Sequence, residues 1–164
     1  MEMPEQELAD RLIAQSGSVF LSAVLAGDME GDNGDRIMCA VSILENLPLV
    51  IDDQGGLTLF DVASKARSVK RKHGLGLLVV DYLQLMSGDG DNRNQQIEQI
   101  TRGLKALAKE LDIPIIALSQ LSRKCEERTN KRPMNSDLRE SGAIEQDADV
   151  ILFVYRDEEY NPAS

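Results

Sequence analysis

The chain has 164 residues, 28 acidic against 18 basic side chains and a formal net charge of −10. That length supports one domain with a real core, and no stretch is apolar for long enough to span a membrane or patterned as a signal peptide. Cys39 and Cys125 lack any CxxC or metal spacing, and His73 is the only histidine, which argues against a disulfide framework, a zinc site or a His-based triad and points to a reducing, cytoplasmic setting.

Pro4-Glu5-Gln6-Glu7 reads as a helix first turn, with proline near its first position and acids facing the dipole. Leu8, Leu12 and Ile13 give that helix one apolar side. Residues 27–35 are a Gly/Asp/Asn loop, and a helix to about Asn46 follows, with Ile37, Val41 and Leu44 at helical spacing. Leu47–Asp53 is expected as a short strand, turning at Gln54-Gly55-Gly56. Thr58 and Asp61 form a capping-box pattern that opens a helix to about His73. The basic run Lys70-Arg71-Lys72-His73 suits that helix's C-terminus.

Leu75–Met86 is expected as a buried strand. Its centre, Leu77-Leu78-Val79-Val80-Asp81, is a continuous apolar run ending in one carboxylate. Such a run marks a strand of a parallel sheet, and ligands bind beyond the carboxyl ends of those strands. A lone Asp there is costly to bury unless it faces a partner such as a metal. The layout is that of a Walker B strand, whose Asp holds the magnesium of a bound nucleotide. On this run alone, a plain strand-end Asp remains the commoner explanation.

Ser87–Arg93 is a glycine-rich loop. Asn94–Asp112 is the clearest helix, with Ile97, Ile100, Leu104, Leu107 and Leu111 on one stripe. Ile113–Ser119 is expected as a buried strand ending at Gln120, and 121–135 as a charged loop. Ser136 is expected to cap a helix to about Ala148, and Val150–Tyr155 to form a last buried strand. Strands and helices alternating without hairpins imply an α/β protein with a mostly parallel sheet flanked by helices.

A right-handed crossover puts Asp81 and Gln120 on one edge of that sheet. A magnesium carboxylate beside an uncharged amide for a terminal phosphate is a recognisable NTPase pairing. Arg139 and Gly142 fall on one side of the last predicted helix. A glycine inside a helix costs about 1 kcal/mol relative to alanine; close approach of a phosphate backbone would explain Gly142. A solvated helix face explains the same polar stretch. Charge is unevenly placed: residues 1–61 carry 12 acids and 2 bases, whereas 62–164 carry 16 of each. Basic clusters lie at Lys65–Lys72 and Arg123–Arg132, and a groove can be locally positive on an acidic protein.

Leu78–Met86 (LVVDYLQLM), Ile116–Arg123 (IALSQLSR) and Arg132–Tyr155 (RPMNSDLRESGAIEQDADVILFVY) resemble the RecA-like motor domain of replicative hexameric DNA helicases of the bacterial DnaB type. Met1-Glu2-Met3-Pro4 with Arg11-Leu12 is similar to the end of that family's motif after its second core strand. The resemblance covers essentially the whole chain. It implies that Glu2 activates the attacking water, that Asp81 holds magnesium and that Gln120 senses the γ-phosphate of ATP. It implies that Arg139, Glu140 and Gly142 hold the backbone of single-stranded DNA. It also implies a homo-hexamer, with primase and a helicase loader as further partners, and no membrane.

Two departures qualify the resemblance. No G-x-x-x-x-G-K-[ST] run occurs in the sequence, so the phosphate cradle of that motif is missing. The chain also stops before the stretch where the family keeps its arginine finger. The expectation is therefore an incomplete RecA-like domain spanning 1–164, which binds neither ATP nor Mg2+ by itself. In the family the P-loop strand lies between the strands matching Ile113–Ser119 and Val150–Tyr155. Its absence is expected to leave a gap that favours self-association or a rearranged sheet. A non-catalytic oligomerisation or interaction module derived from the same fold is the alternative. A RecA-like recombinase with another substrate fits the Ser136–Asp149 stretch less well.

Overall fold

The computed structural model describes residues 3–138 and 142–160. The chain divides into two compact units, Met1–Gln54 and Gly55–Ser164.

The first unit is helical: α1 (Glu5–Gly17), α2 (Leu21–Ala26) and α3 (Asn33–Glu45), with α1 packed on the other two. Small side chains let α1 and α3 approach closely. Ala14 and Ala40 are buried at this contact, and a Cβ on Gly17 would stand 3.0 Å from the Arg36 carbonyl oxygen. Helix α1 carries Glu5 and Glu7 in its first turn, as expected, and the Glu5 N–H donates to the Asp53 carboxylate at 3.2 Å. That bond satisfies one of the orphan donors of the helix start. The predicted strand Leu47–Asp53 is not formed: among the described residues it has no strand partner, and Leu47, Leu49 and Val50 are exposed. A strand needs a ladder partner for its backbone groups, and the first unit offers three helices.

The second unit contains α4 (Leu59–His73), β1 (Leu78–Val80), α5 (Arg93–Leu111), β2 (Ile115–Ala117), α6 (Gly142–Asp147) and α7 (Asp157–Tyr160). The capping box of α4 is present: Thr58 Oγ1 accepts from the Asp61 N–H at 3.2 Å, and Asp61 accepts from the Thr58 N–H at 2.9 Å. Helix α5 buries Ile97, Ile100, Leu104 and Leu107, the stripe its spacing predicts. Together with Val62, Ala66, Val80, Leu83 and Met86 they make the core.

Strands β1 and β2 pair in parallel, with Val79 opposite Ile116 and Val80 opposite Ala117. Both are shorter than predicted. The chain leaves β1 at Asp81 and enters a 3-10 turn at Leu83–Leu85, because Leu83 and Met86 both drop into the core. Val150–Tyr155 is the clearest correction. Among the described residues it has no strand partner, and it is not buried on both faces. Ile151 and Phe153 pack against the core while Val150, Leu152 and Val154 stand 74%, 87% and 89% exposed. Ser136 does not cap a long helix either: Asn135–Asp137 is a 3-10 turn, and α6 begins at Gly142.

Candidate functional site

The C-terminal tips of β1 and β2 meet on one edge of the sheet. The Leu118 N–H donates to the Val80 oxygen at 2.9 Å, and the Leu83 N–H donates back to the Leu118 oxygen at 2.9 Å. Asp81 therefore leaves its strand beside the chain that leads to Gln120. The Asp81–Tyr82 peptide bond is cis. Asp81 is half-buried, and among the described residues its carboxylate has no hydrogen-bond or ion-pair partner. A partly desolvated carboxylate without a partner suits an external, hydrated cation. Among the described residues no group of three or more potential ligands is preassembled for a metal ion. Gln120 is exposed, and its main chain rather than its side chain is held.

Gln84 is a site residue that sequence reasoning misses. Its Nε2 donates to Ser119 Oγ at 3.0 Å, and its Oε1 accepts from the Gln120 N–H at 3.3 Å. One amide thus joins the turn after β1 to the chain after β2. The available signal is a lone amide inside the apolar run Tyr82-Leu83-Gln84-Leu85-Met86, which reading that run as continuous strand conceals.

Beyond Gln120 the chain returns upon itself. Leu121 bridges Leu138 in antiparallel fashion, and the Ser122 N–H donates to the Asp137 oxygen at 2.7 Å. Between these ends lies the basic loop, held by two aromatic rings. Arg132 lies over Tyr155 at 5.3 Å and Lys131 over Tyr160 at 5.1 Å, while the rings stack on each other at 5.4 Å. Cation–π contacts of this kind each contribute about 0.5–1 kcal/mol at exposed sites.

Of the other predicted site residues, Glu2, Arg139 and Glu140 lie outside the described residues. Gly142 is the first described residue of α6, directly after the undescribed residues 139–141. A Cβ on it would meet nothing within 4 Å. No neighbour within the described structure requires glycine at this position.

Comparison with known proteins follows the same lines. Residues 1–164 match the family described as DnaB-like helicase C terminal domain. The replicative DNA helicase DnaB of Geobacillus stearothermophilus is 44% identical over 167 residues, covering 100% of this chain and 37% of the relative. That of Rickettsia bellii is 49% identical over 162 residues, covering 98% and 32%. The chain thus spans about a third of the length of these relatives. Two solved structures superpose with a TM-score of 0.94 at 43% identity, each over 99% of this chain. One is described as an ATPase domain, of which 60% is covered. The other is a DnaB-like replicative helicase solved to show its interactions with primase, of which 41% is covered. The α/β, RecA-like class expected from the sequence is the class of these neighbours.

Proposed function

The chain belongs to the family of DnaB-like helicase C-terminal domains, and we propose that it forms the metal-and-sensor half of an ATP-driven motor that moves along single-stranded DNA. One observation carries this reading: Asp81 and Gln120, just past the ends of two neighbouring strands, leave the same sheet edge with their exits joined by Gln84. That edge is where nucleotides meet parallel sheets.

Asp81 would hold magnesium, usually through water; when bound, the ion neutralises charge on the terminal phosphates. Gln120 would donate its side-chain amide to the γ-phosphate and lose that bond after hydrolysis. The loop from Leu121 to Leu138 starts one residue after Gln120 and ends one residue before Arg139, so a shift at the sensor reaches the proposed DNA contacts directly. Arg139 and the Gly142 main-chain N–H would meet phosphates without reading bases. Glu140 would orient Arg139 or act through its own N–H, and Glu2 would position the attacking water. The 164 residues contain no G-x-x-x-x-G-K-[ST], so they contribute no phosphate cradle of that kind. A homo-hexamer, primase and a helicase loader are the partners this function implies, in the cytoplasm.

DNA binding is tested by fluorescence anisotropy of a labelled oligo(dT) titrated with the chain at several salt concentrations. Affinity should fall with salt, and Arg139→Ala should reduce the slope by about one phosphate contact. Salt-independent binding unaffected by that substitution would reject the DNA role.

The second reading, an interaction module, draws on a different observation. Val79 and Ile116 pair on the outer face of the sheet at 53% and 52% exposure, flanked by exposed Leu77 and Leu118. Parallel sheets are normally covered on both faces, so this apolar surface suits a protein contact.

A further inference from the structure

We infer that Gln84 is a positioning residue that sets the separation between Asp81 and Gln120. The inference rests on reading those two residues as a nucleotide-facing pair.

The β1–β2 ladder does not set this separation. Its last paired residues are Val80 and Ala117, one residue before Asp81 and three before Gln120. Past that point the two chains are free to diverge unless something ties them. The turn after β1 is itself anchored: Leu83 is almost fully buried, and its N–H donates to the Leu118 oxygen. This places Gln84 beside the exit of β2. Its amide then donates to Ser119 Oγ at 3.0 Å and accepts from the Gln120 N–H at 3.3 Å. Ser119 Oγ in turn donates to the Gln120 oxygen at 3.4 Å. Two hydrogen bonds thus reach the main chain of Gln120, and a third joins Gln84 to the Ser119 hydroxyl.

The chemistry of the tie is specific. It needs one donor and one acceptor at the end of a side chain of this length, and a glutamine amide carries both. Glutamate keeps the acceptor for the Gln120 N–H, and the Ser119 hydroxyl can rotate to donate to it. Leucine fills the same space and does neither. A glutamine that merely filled the loop would tolerate leucine, and glutamate would serve it worse.

The test uses the 15N-labelled 164-residue chain as wild type, Gln84→Leu and Gln84→Glu. Losing one net hydrogen bond should accelerate hydrogen exchange at the Gln120 N–H by about tenfold in Gln84→Leu, with recovery in Gln84→Glu. The Leu83 and Leu118 amides, which bond between the two strand exits without Gln84, should keep wild-type rates. Manganese-ATP then stands in for magnesium-ATP, with the same three versions of the chain joined behind the segment that precedes the matching residues in the Geobacillus stearothermophilus relative. Its paramagnetic broadening should reach the Asp81 amide in all three proteins. It should reach the Gln120 side-chain NH2 in wild type and Gln84→Glu, and drop severalfold there in Gln84→Leu.

Wild-type exchange and broadening at Gln120 in Gln84→Leu would overturn the tie. Acceleration of the Leu83 and Leu118 amides together with Gln120, without rescue by glutamate, would make Gln84 a packing residue and overturn it too. Absence of broadening at Asp81 in the wild type is a separate failure. It would remove the metal role of Asp81, and the positioning role would fall with it.

Discussion

Arg128 Nη2 donates to Asp137 Oδ2 at 2.6 Å, and that carboxylate sits 4% exposed at the end of the basic loop. The same oxygen accepts from the Met134 N–H at 2.9 Å, and Arg128 also donates to the Arg132 carbonyl at 3.1 Å. One buried acid therefore gathers three points of the loop that begins at Gln120. Breaking a fully buried pair costs about 3–5 kcal/mol. Arg128 keeps about a third of its side chain in water, so Asp137→Ala should cost nearer ~2 kcal/mol. The loss should be local. Limited trypsin digestion should cut at Arg123–Arg132 faster in the variant, while α5 amides keep their exchange protection.

Gly103 faces Leu59. A Cβ at position 103 would stand 1.9 Å from Leu59 Cδ2, so α4 and α5 touch where one of them lacks a side chain. Alanine gains about 1 kcal/mol of helix propensity over glycine, but overpacking costs typically about 1–3 kcal/mol. Gly103→Ala should destabilise the chain by about 1 kcal/mol. In a Leu59→Ala background the clash disappears and the same change should become neutral or stabilising. Thermal melts of the four proteins give the cycle, and additive effects would contradict the contact.

Acid should weaken the second unit in a definite window. The Glu110 carboxyl is held below its ordinary value of 4.5 by its hydrogen bonds from Arg67. Those of Asp61 and Asp149 are held below 3.8, by the Thr58 hydroxyl and by Lys105 respectively. Depressed folded-state values mean stability that is fully present above the unfolded pKa and lost as pH falls through the folded one. The melting temperature should therefore hold above pH 4.5 and fall progressively as pH drops below it. Arg67→Met should flatten that fall, although these exposed pairs are screened and the change should be small.

The helices of the second unit are legible in the sequence because their causes are local. Thr58 and Asp61 are three residues apart and cap α4 themselves, and the stripe of α5 repeats within its own turns. The strands depend on partners far along the chain. Leu47–Asp53 has β-like composition and forms no strand ladder among the described residues. Val150–Tyr155 is a continuous apolar run, yet it presents alternate side chains to the core and to solvent. Helices α2 and α7 are not legible, because six and four residues are too few to show a period. Asp81 and Gln120 can be found because each ends an apolar run. Gln84 cannot be placed from sequence, because its role appears only when β1 and β2 lie side by side.

The central claim is that Asp81 and Gln120 are the metal and sensor positions of a nucleotide site. ATP hydrolysis tests it most directly, measured on this chain joined behind the segment that precedes the matching residues in the Geobacillus stearothermophilus relative. ATPase activity should appear in that protein. It should drop by at least about a hundredfold with Asp81→Asn, on the scale of losing an electrostatic contact at developing charge. Gln120→Ala should also lower it and uncouple it from single-stranded DNA. Full activity in the Asp81→Asn protein would contradict the account.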